Sequence, residues 1–268
     1  MSASPAVIAS LRSSNSFRVT AAAGAEAWAP AADRPTLPAD EVHVWRATLD
    51  PGDARVSRLE TTLEPRERER AARFRFRRDR QRYIAARGAL REILGRYLDA
   101  PPKRLRFQYG PQGKPRLASE PPSGIRFNLA HSDALAVYAF TRGREIGIDV
   151  ERVRPDVAGE GIERRFFSVA EAEDVTGTPE DSRAEAFFGC WTSKEAYVKA
   201  RGDGLSLALD AFTVSTRAGE KLRLIYAAEA GETARWAFER FSPAAGYVGA
   251  LAVEGDGWRA RFWEHRIP

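Results

Sequence analysis

The sequence SRAEAFFGCWTSKEAYVKARGDGL at residues 182–205 predicts a single long helix with a sharp end. Residues 182–201 contain no proline, and Gly202 and Gly204 follow, as expected just beyond the end of a helix. Segments with strand character come next, near residues 212–215, 222–226, 236–241, 247–253 and 259–263. This part of the chain therefore predicts one helix followed by a small sheet.

An earlier segment has the same order of helix and strands. Residues 63–98 predict a long helical region that Pro65 interrupts near its start and Pro101-Pro102 ends. Its apolar residues recur at helical spacing and predict one buried stripe with exposed arginines around it: Phe76, Tyr83, Leu90, Leu94 and Tyr97. Strands are predicted near residues 42–47, 105–109, 125–129, 135–141 and 146–150.

The repeated order predicts an α+β fold of two similar halves that form a pseudo-dimer. Each half would be a helix packed on a small, mainly antiparallel sheet. We expect residues 41–155 to form the N-terminal half and residues 156–268 the C-terminal half. Residues 1–40 are rich in Ala, Ser and Pro and lack hydrophobic periodicity, so we expect a disordered extension there.

The composition is globular and limits the kinds of partner. No segment approaches the roughly 20 apolar residues of a membrane span, so no membrane partner is expected. The single cysteine, Cys190, and three scattered histidines offer no zinc-ligand spacing, and we expect a reducing, cytoplasmic location. A net charge of +5 indicates an anionic partner, which is nucleic acid, a phosphate-rich small molecule or an acidic protein surface.

Paired carboxylates occur in the pentapeptide Gly147-Ile148-Asp149-Val150-Glu151. Because alternate residues of a strand share a face, Asp149 and Glu151 project together while Ile148 and Val150 face the core. Two adjacent carboxylates repel each other unless a cation lies between them. The pentapeptide alone is equally consistent with a solvated strand face.

The predicted helix carries a second candidate group, because a spacing of four aligns Trp191, Glu195 and Lys199. Such a face presents a metal ligand and a cation to the same phosphate. The alternative is a plain Glu-to-Lys helix pair, which stabilises a helix by roughly 0.2–0.5 kcal/mol. A third candidate is Phe127-Asn128-Leu129-Ala130-His131-Ser132, where a strand ends in polar donors for a phosphate or a base; the alternative is a structural histidine.

Together, in this order and at these separations, the motifs resemble the surfactin-synthetase-activating type of 4′-phosphopantetheinyl transferase. The resemblance covers about residues 42–255. It is carried by Gly113-Lys114-Pro115, residues 127–132, residues 147–151, Arg165-Phe166-Phe167-Ser168 with Glu171, and residues 191–205. One departure is Ala130, where the family usually has serine.

The resemblance implies a magnesium site formed by Asp149, Glu151 and Glu195, in which Mn²⁺ would substitute for Mg²⁺. Carboxylate oxygens suit a hard cation that prefers six oxygen ligands. Lys199 would contact the reacting phosphate and either deprotonate the acceptor serine or neutralise charge, with Glu195 as the rival base. Glu195, Lys199 and Asp149 are therefore the expected catalytic residues, and Lys194 is expected to be a solvated neighbour.

The resemblance also implies that the substrates are coenzyme A and an acyl or peptidyl carrier protein. The nucleotide end of coenzyme A would be held by Lys114, Asn128, His131 and Ser132, with Arg70 and Lys199 near its phosphates. A carrier serine would attack the β-phosphorus and release adenosine 3′,5′-bisphosphate. We expect a monomer.

There are two alternative hypotheses for the function. A nucleic-acid binder would use the arginines between Arg66 and Arg91, but no stacking aromatics or recognisable module accompany them, and acidic residues interleave with them. We therefore expect no nucleic-acid partner. A degenerate member kept as a carrier-binding scaffold would not need the intact acids and lysine. Cys190 has no paired histidine in the sequence and is expected to be a buried structural thiol.

Overall fold

The computed structural model describes residues 28–30, 32–118, 123–156, 161–217 and 220–265, apart from the side chain of Leu205. Residues 1–27 of the predicted extension lie outside this part. The chain forms two compact units. The first takes in the described residues of Ala27–Tyr109, Pro115–Gly143 and Gly257–Pro268, and the second those of Gly110–Lys114 and Arg144–Asp256. Among the described residues, no helix is both long and apolar enough to cross a bilayer.

The first unit is a five-stranded sheet with helices packed on it. Its helices are α1 (Asp53–Glu60), α2 (Pro65–Ala72) and α3 (Arg77–Leu98). Its strands are β1 (Ala29–Pro30), β2 (Glu41–Thr48), β5 (Ile125–Ser132), β6 (Leu135–Arg142) and β12 (Arg259–Glu264), with the short hairpin β3 (Phe107–Tyr109) and β4 (Pro115–Leu117). The sheet order is β1-β12-β2-β6-β5. The pairs β2-β6 and β5-β6 are antiparallel, whereas β12 runs parallel to both β1 and β2.

The second unit is a three-stranded antiparallel sheet covered by one long helix. Its strands β7 (Ile146–Arg152), β10 (Trp236–Phe241) and β11 (Tyr247–Glu254) have the order β10-β11-β7. Its helices are α4 (Glu163–Phe166), α5 (Val169–Gly177), α6 (Glu180–Arg201) and α7 (Glu232–Arg235). The two-stranded ribbon of β8 (Thr213–Val214) and β9 (Leu224–Tyr226) completes it. The predicted α+β class, with helices on small and mainly antiparallel sheets, is confirmed.

The units do not divide the chain at residue 155. Strand β7, expected in the N-terminal half, pairs with β11 over seven residues and belongs to the second unit. Strand β12, expected in the C-terminal half, pairs with β2 and belongs to the first. Within the predicted extension, Ala29–Pro30 pairs with Trp263 and Glu264, so residues 28–30 and 32–40 are placed rather than disordered.

The long N-terminal helix is broken, contrary to the prediction, because α2 ends at Ala72 and α3 begins at Arg77. Phe76, expected in the buried stripe, lies in the break and is 59% exposed. Some of the arginines that were predicted to be exposed are also buried. Arg87 and Arg91 are buried and donate to Glu67 at 2.7 and 2.6 Å, which supplies the counter-charge that burial requires.

Lys194 is not the solvated neighbour that the sequence suggested. Its side chain is fully buried in the second unit, where the ammonium donates to both carboxylate oxygens of Glu171 at 2.6 and 2.5 Å and to the Phe212 carbonyl at 2.6 Å. Glu171 also accepts from the backbone N–H of Ser168 and Val214. Every charge in this group has a partner, so the pair is a structural element of the core.

Replacing Lys194 by Met should lower the free energy of unfolding by about 3–5 kcal/mol, because Glu171 would remain buried without its counter-charge. Lys221→Met, at an exposed lysine of the same unit, should change the free energy by less than about 0.5 kcal/mol. Urea denaturation followed by circular dichroism measures both. Equal effects of the two substitutions would contradict the structural role of Lys194.

Candidate functional site

Strand β7 and helix α6 lie close together, and this contact builds the site. A Cβ atom at Gly147 would lie 2.0 Å from the Ala196 carbonyl oxygen and 2.4 Å from the Ala200 nitrogen, so only glycine fits there. On the neighbouring strand β11, Ala252 stands opposite Gly147 and Ala250 opposite Asp149. Small side chains thus let the helix rest almost on the strand backbone, and the alternation of β7 turns Asp149 toward the helix.

The contact brings two of the predicted catalytic residues together. The Lys199 ammonium donates to Asp149 Oδ1 at 2.5 Å. Asp149 is 5% exposed, and the Lys199 side chain is 18% exposed. Glu195 lies one helical turn before Lys199 on the same face and is partly buried, as is Glu151 at the far end of β7.

The pKa values of these groups are shifted by burial and by one another's charges. Burial raises the pKa of Asp149 by more than Lys199 lowers it. Burial also raises the pKa of Glu195, and the charge of Asp149 raises it further. Burial disfavours the charged ammonium of Lys199, but Asp149, Glu195 and Glu151 outweigh that effect and raise its pKa. With all four groups ionised, three negative charges act on one positive charge.

The donor set fits a hard divalent cation in charge and in chemistry. The group of Asp149, Glu151, Glu195 and Lys199 carries a net charge of −2 when ionised. Asp149 Oδ2 is buried and has no hydrogen-bond partner among the residues the structure describes. A buried carboxylate oxygen without a partner is costly unless a cation or a donor satisfies it.

The three predicted metal ligands are not drawn into one compact cluster. Within the described ranges, no three side chains of His, Cys, Asp or Glu form a group that could hold a metal. The ammonium of Lys199 lies against Asp149 Oδ1, on the side of the carboxylate that faces the helix. The donors therefore fit the cation in number and type, whereas their approach to a common centre stays a prediction.

Lys114 contacts protein groups rather than presenting its ammonium to solvent. Its Nζ donates to the Ala200 carbonyl at 2.9 Å, to the Ile146 carbonyl at 3.0 Å and to Glu145 Oε2 at 3.2 Å. Its side chain is 11% exposed. A lysine has three N–H donors, and these three acceptors match them. The expectation that Lys114 holds coenzyme A stays a prediction, and these contacts give the side chain a second role.

The other predicted nucleotide contacts lie in the first unit. Asn128 and Ser132 are buried on one face of β5, whereas His131 is exposed on the opposite face because strand residues alternate. Ala130, the departure from the family pattern, is buried beside Asn128. Arg70 on α2 is exposed, with its guanidinium 5.7 Å from the centre of the Tyr83 ring.

The structure shows the surroundings of two further residues, Cys190 and Gly147. Cys190 is fully buried and its thiol pKa is raised by burial, so it has the structural character that we expected. Gly147 is the position that sequence reasoning passed over. Its signal was available, because a glycine inside a predicted strand often marks a close backbone approach.

Comparisons with known proteins agree on one family. The model of the 4′-phosphopantetheinyl transferase superfamily matches residues 145–252, and the model of the 4′-phosphopantetheinyl transferase N-terminal region matches residues 47–142. The 4′-phosphopantetheinyl transferase HetI of Nostoc sp. is 39% identical over 240 residues, which cover 89% of this chain and 98% of the relative.

A second relative is the 4′-phosphopantetheinyl transferase Sfp of Bacillus subtilis. It is 32% identical over 157 residues, which cover 59% of this chain and 68% of Sfp. The two family models lie one after the other and together span most of the chain, and the similarity to HetI extends over nearly its whole length. The chain therefore belongs to the 4′-phosphopantetheinyl transferase superfamily and is an enzyme of that class.

Proposed function

We propose that the enzyme transfers the 4′-phosphopantetheine group of coenzyme A to a serine of an acyl or peptidyl carrier protein, with magnesium and with release of adenosine 3′,5′-bisphosphate. The observation that carries this proposal is the group of buried Asp149 with partly buried Glu195 and Lys199, an acid-rich site with one cation. A diphosphate brought to such acids requires added positive charge, so a divalent cation fits both partners.

Asp149, Glu151 and Glu195 would hold Mg²⁺, with Mn²⁺ as a substitute. Bound there, the cation would neutralise charge on the diphosphate and help to orient it. Asp149 contributes the buried oxygen that has no hydrogen-bond partner among the described residues, and this atom is the strongest support for its role as a ligand. Glu195 presents its carboxylate from the adjoining helix face.

Glu195 and Lys199 are suited to different roles, because one is a carboxylate and the other an ammonium. The raised pKa of Lys199 keeps its ammonium charged, which suits contact with a phosphate oxygen better than removal of a proton. Glu195 lies one helical turn before Lys199 on the same face, so its carboxylate is the candidate acceptor for the serine proton. Glu195 would then accept the serine proton as the serine oxygen bonds to the β-phosphorus and the bond from that phosphorus to the bridging oxygen breaks.

His131 and Arg70 would bind the nucleotide end of coenzyme A. His131 is exposed and has the donors that a phosphate requires, and Arg70 offers an exposed guanidinium. Asn128 and Ser132 are buried, so their contribution would be to support the strand end beside His131.

The arrangement of the arginines argues against a nucleic-acid binder. A backbone-tracking surface needs cations that are available to phosphates along a stripe. Six arginines between Arg66 and Arg91 instead form ion pairs within the first unit: Arg77 with Asp53, Arg78 with Asp79, Arg80 with Glu60, Arg82 with Asp50, and Arg87 and Arg91 with Glu67.

Replacing Asp149 by Asn should lower carrier modification on the order of 100-fold or more, because the amide keeps the shape but loses the ligand charge. Binding of Mn²⁺, followed by electron paramagnetic resonance, should weaken in parallel. Asp156→Asn, at an exposed aspartate of the same unit, is the matched control. Unchanged Mn²⁺ affinity and turnover in Asp149→Asn would refute the metal assignment.

His131→Ala should raise the KM for coenzyme A more than the KM for dephospho-coenzyme A, since the proposed partner of His131 is the 3′-phosphate. Loss of one charge-assisted hydrogen bond corresponds to about 1.5–3 kcal/mol of binding. Steady-state kinetics with both substrates provides its own control. Equal increases in the two KM values would mean that His131 does not contact that phosphate.

A further inference from the structure

Lys114 joins the two elements that carry the proposed catalytic residues. The Ala200 carbonyl that it binds belongs to the last turn of α6, where helix carbonyls lack partners within the helix. A lysine at a helix C-terminus satisfies such a carbonyl and is favoured by the helix dipole. The Ile146 carbonyl that it also binds is at the first residue of β7.

The positions of these acceptors relate Lys114 directly to the acidic site. Ala200 follows Lys199 in the helix, and Ile146 precedes Asp149 by three residues in the strand. One ammonium therefore holds the end of the helix that supplies Glu195 and Lys199 against the start of the strand that supplies Asp149. Glu145 provides the counter-charge for this ammonium in its largely buried position.

The helix-strand contact leaves little room for adjustment. The space at Gly147 is already too small for a Cβ atom, so a shift of α6 along β7 would bring backbone atoms into collision or open a gap. The loop that carries Lys114 packs on the chain beyond the helix as well. A Cβ atom at Gly204 would lie 2.9 Å from the Gln112 Cβ. Residues 110–114 thus contact both the last turn of the helix and the glycine turn after it.

We propose that Lys114 is a positioning residue, which fixes helix α6 on strand β7 so that Asp149, Glu195 and Lys199 keep their relative placement. This inference rests on the proposed function for its kinetic consequences. A phosphate contact by Lys114 would require the ammonium to give up one of its three protein acceptors. Lys114 should therefore govern the turnover number and the metal affinity, and leave recognition of the 3′-phosphate unchanged.

The kinetic test compares Lys114→Met with the wild type on coenzyme A and dephospho-coenzyme A. We expect kcat and the Mn²⁺ affinity to fall by about 10- to 100-fold, as for residues that orient metal ligands. The ratio of the two kcat/KM values should stay the same. A collapse of that ratio, with kcat and Mn²⁺ affinity unchanged, would identify Lys114 as a phosphate ligand and overturn the inference.

A second variant, Lys114→Arg, also distinguishes a positioning residue from a phosphate ligand. Arginine binds phosphate at least as well as lysine, so a phosphate ligand would tolerate the change. The larger planar guanidinium does not fit three acceptors arranged around one nitrogen, so a positioning residue would not tolerate it. We expect Lys114→Arg to lose kcat, and near wild-type kinetics would overturn the inference.

A measurement that does not depend on turnover tests the role of Lys114 independently of the proposed function. Amide hydrogen exchange at Gly202, whose N–H donates to the Val198 carbonyl, reports on the last turn of α6. Lys114→Met should accelerate exchange there, while Lys221→Met should not. If the wild type modifies no carrier, the proposed function fails, but faster exchange still supports the inference and unchanged exchange still contradicts it.

Discussion

The close approach of helix Glu180–Arg201 to strand Ile146–Arg152 is the constraint on which the site depends. It exists because residue 147 has no side chain and because alanines face the helix from the neighbouring strand. Through it, Lys199 reaches Asp149 although the two are 50 residues apart in sequence. A longer distance between helix and strand would leave Asp149 buried without any cation beside it, which is among the costliest arrangements in a protein interior.

Lys194 and Glu195 are consecutive in the same helix but belong to two different groups of charged side chains. Lys194 is bound to Glu171 in a group where every donor and acceptor has a partner, and this group stabilises the core. Glu195 belongs to a group with an excess of negative charge and an oxygen of Asp149 that has no partner among the described residues. The balanced group stabilises the fold, whereas the unbalanced group is suited to a ligand that brings positive charge.

Much of this was predictable from the sequence, because local signals specify it. The end of the long helix follows from Gly202, and the shared face of Asp149 and Glu151 follows from strand alternation. The partners of the lysines were not predictable. Lys194 meets Glu171 from 23 residues away, and Lys114 meets Ala200 from 86 residues away, so neither partner follows from the neighbouring sequence.

The division into units was misjudged for a related reason. Sequence order suggested that a strand belongs with its neighbours along the chain, whereas β7 and β12 each pair with strands distant in sequence. The break between α2 and α3 was missed because the helical spacing of apolar residues continues through it. Two arginines of that region, Arg87 and Arg91, are buried because they pair with Glu67. No local sequence pattern predicts this pairing.

The most direct test of the account is the intact mass of a purified apo-carrier protein after incubation with this enzyme, coenzyme A and Mg²⁺. We predict a gain equal to one phosphopantetheine group on the carrier serine, which a metal chelator abolishes and added Mg²⁺ or Mn²⁺ restores. Modification that persists in the presence of the chelator would contradict the role given to the acidic site. No gain with any acyl or peptidyl carrier would contradict the proposed reaction itself.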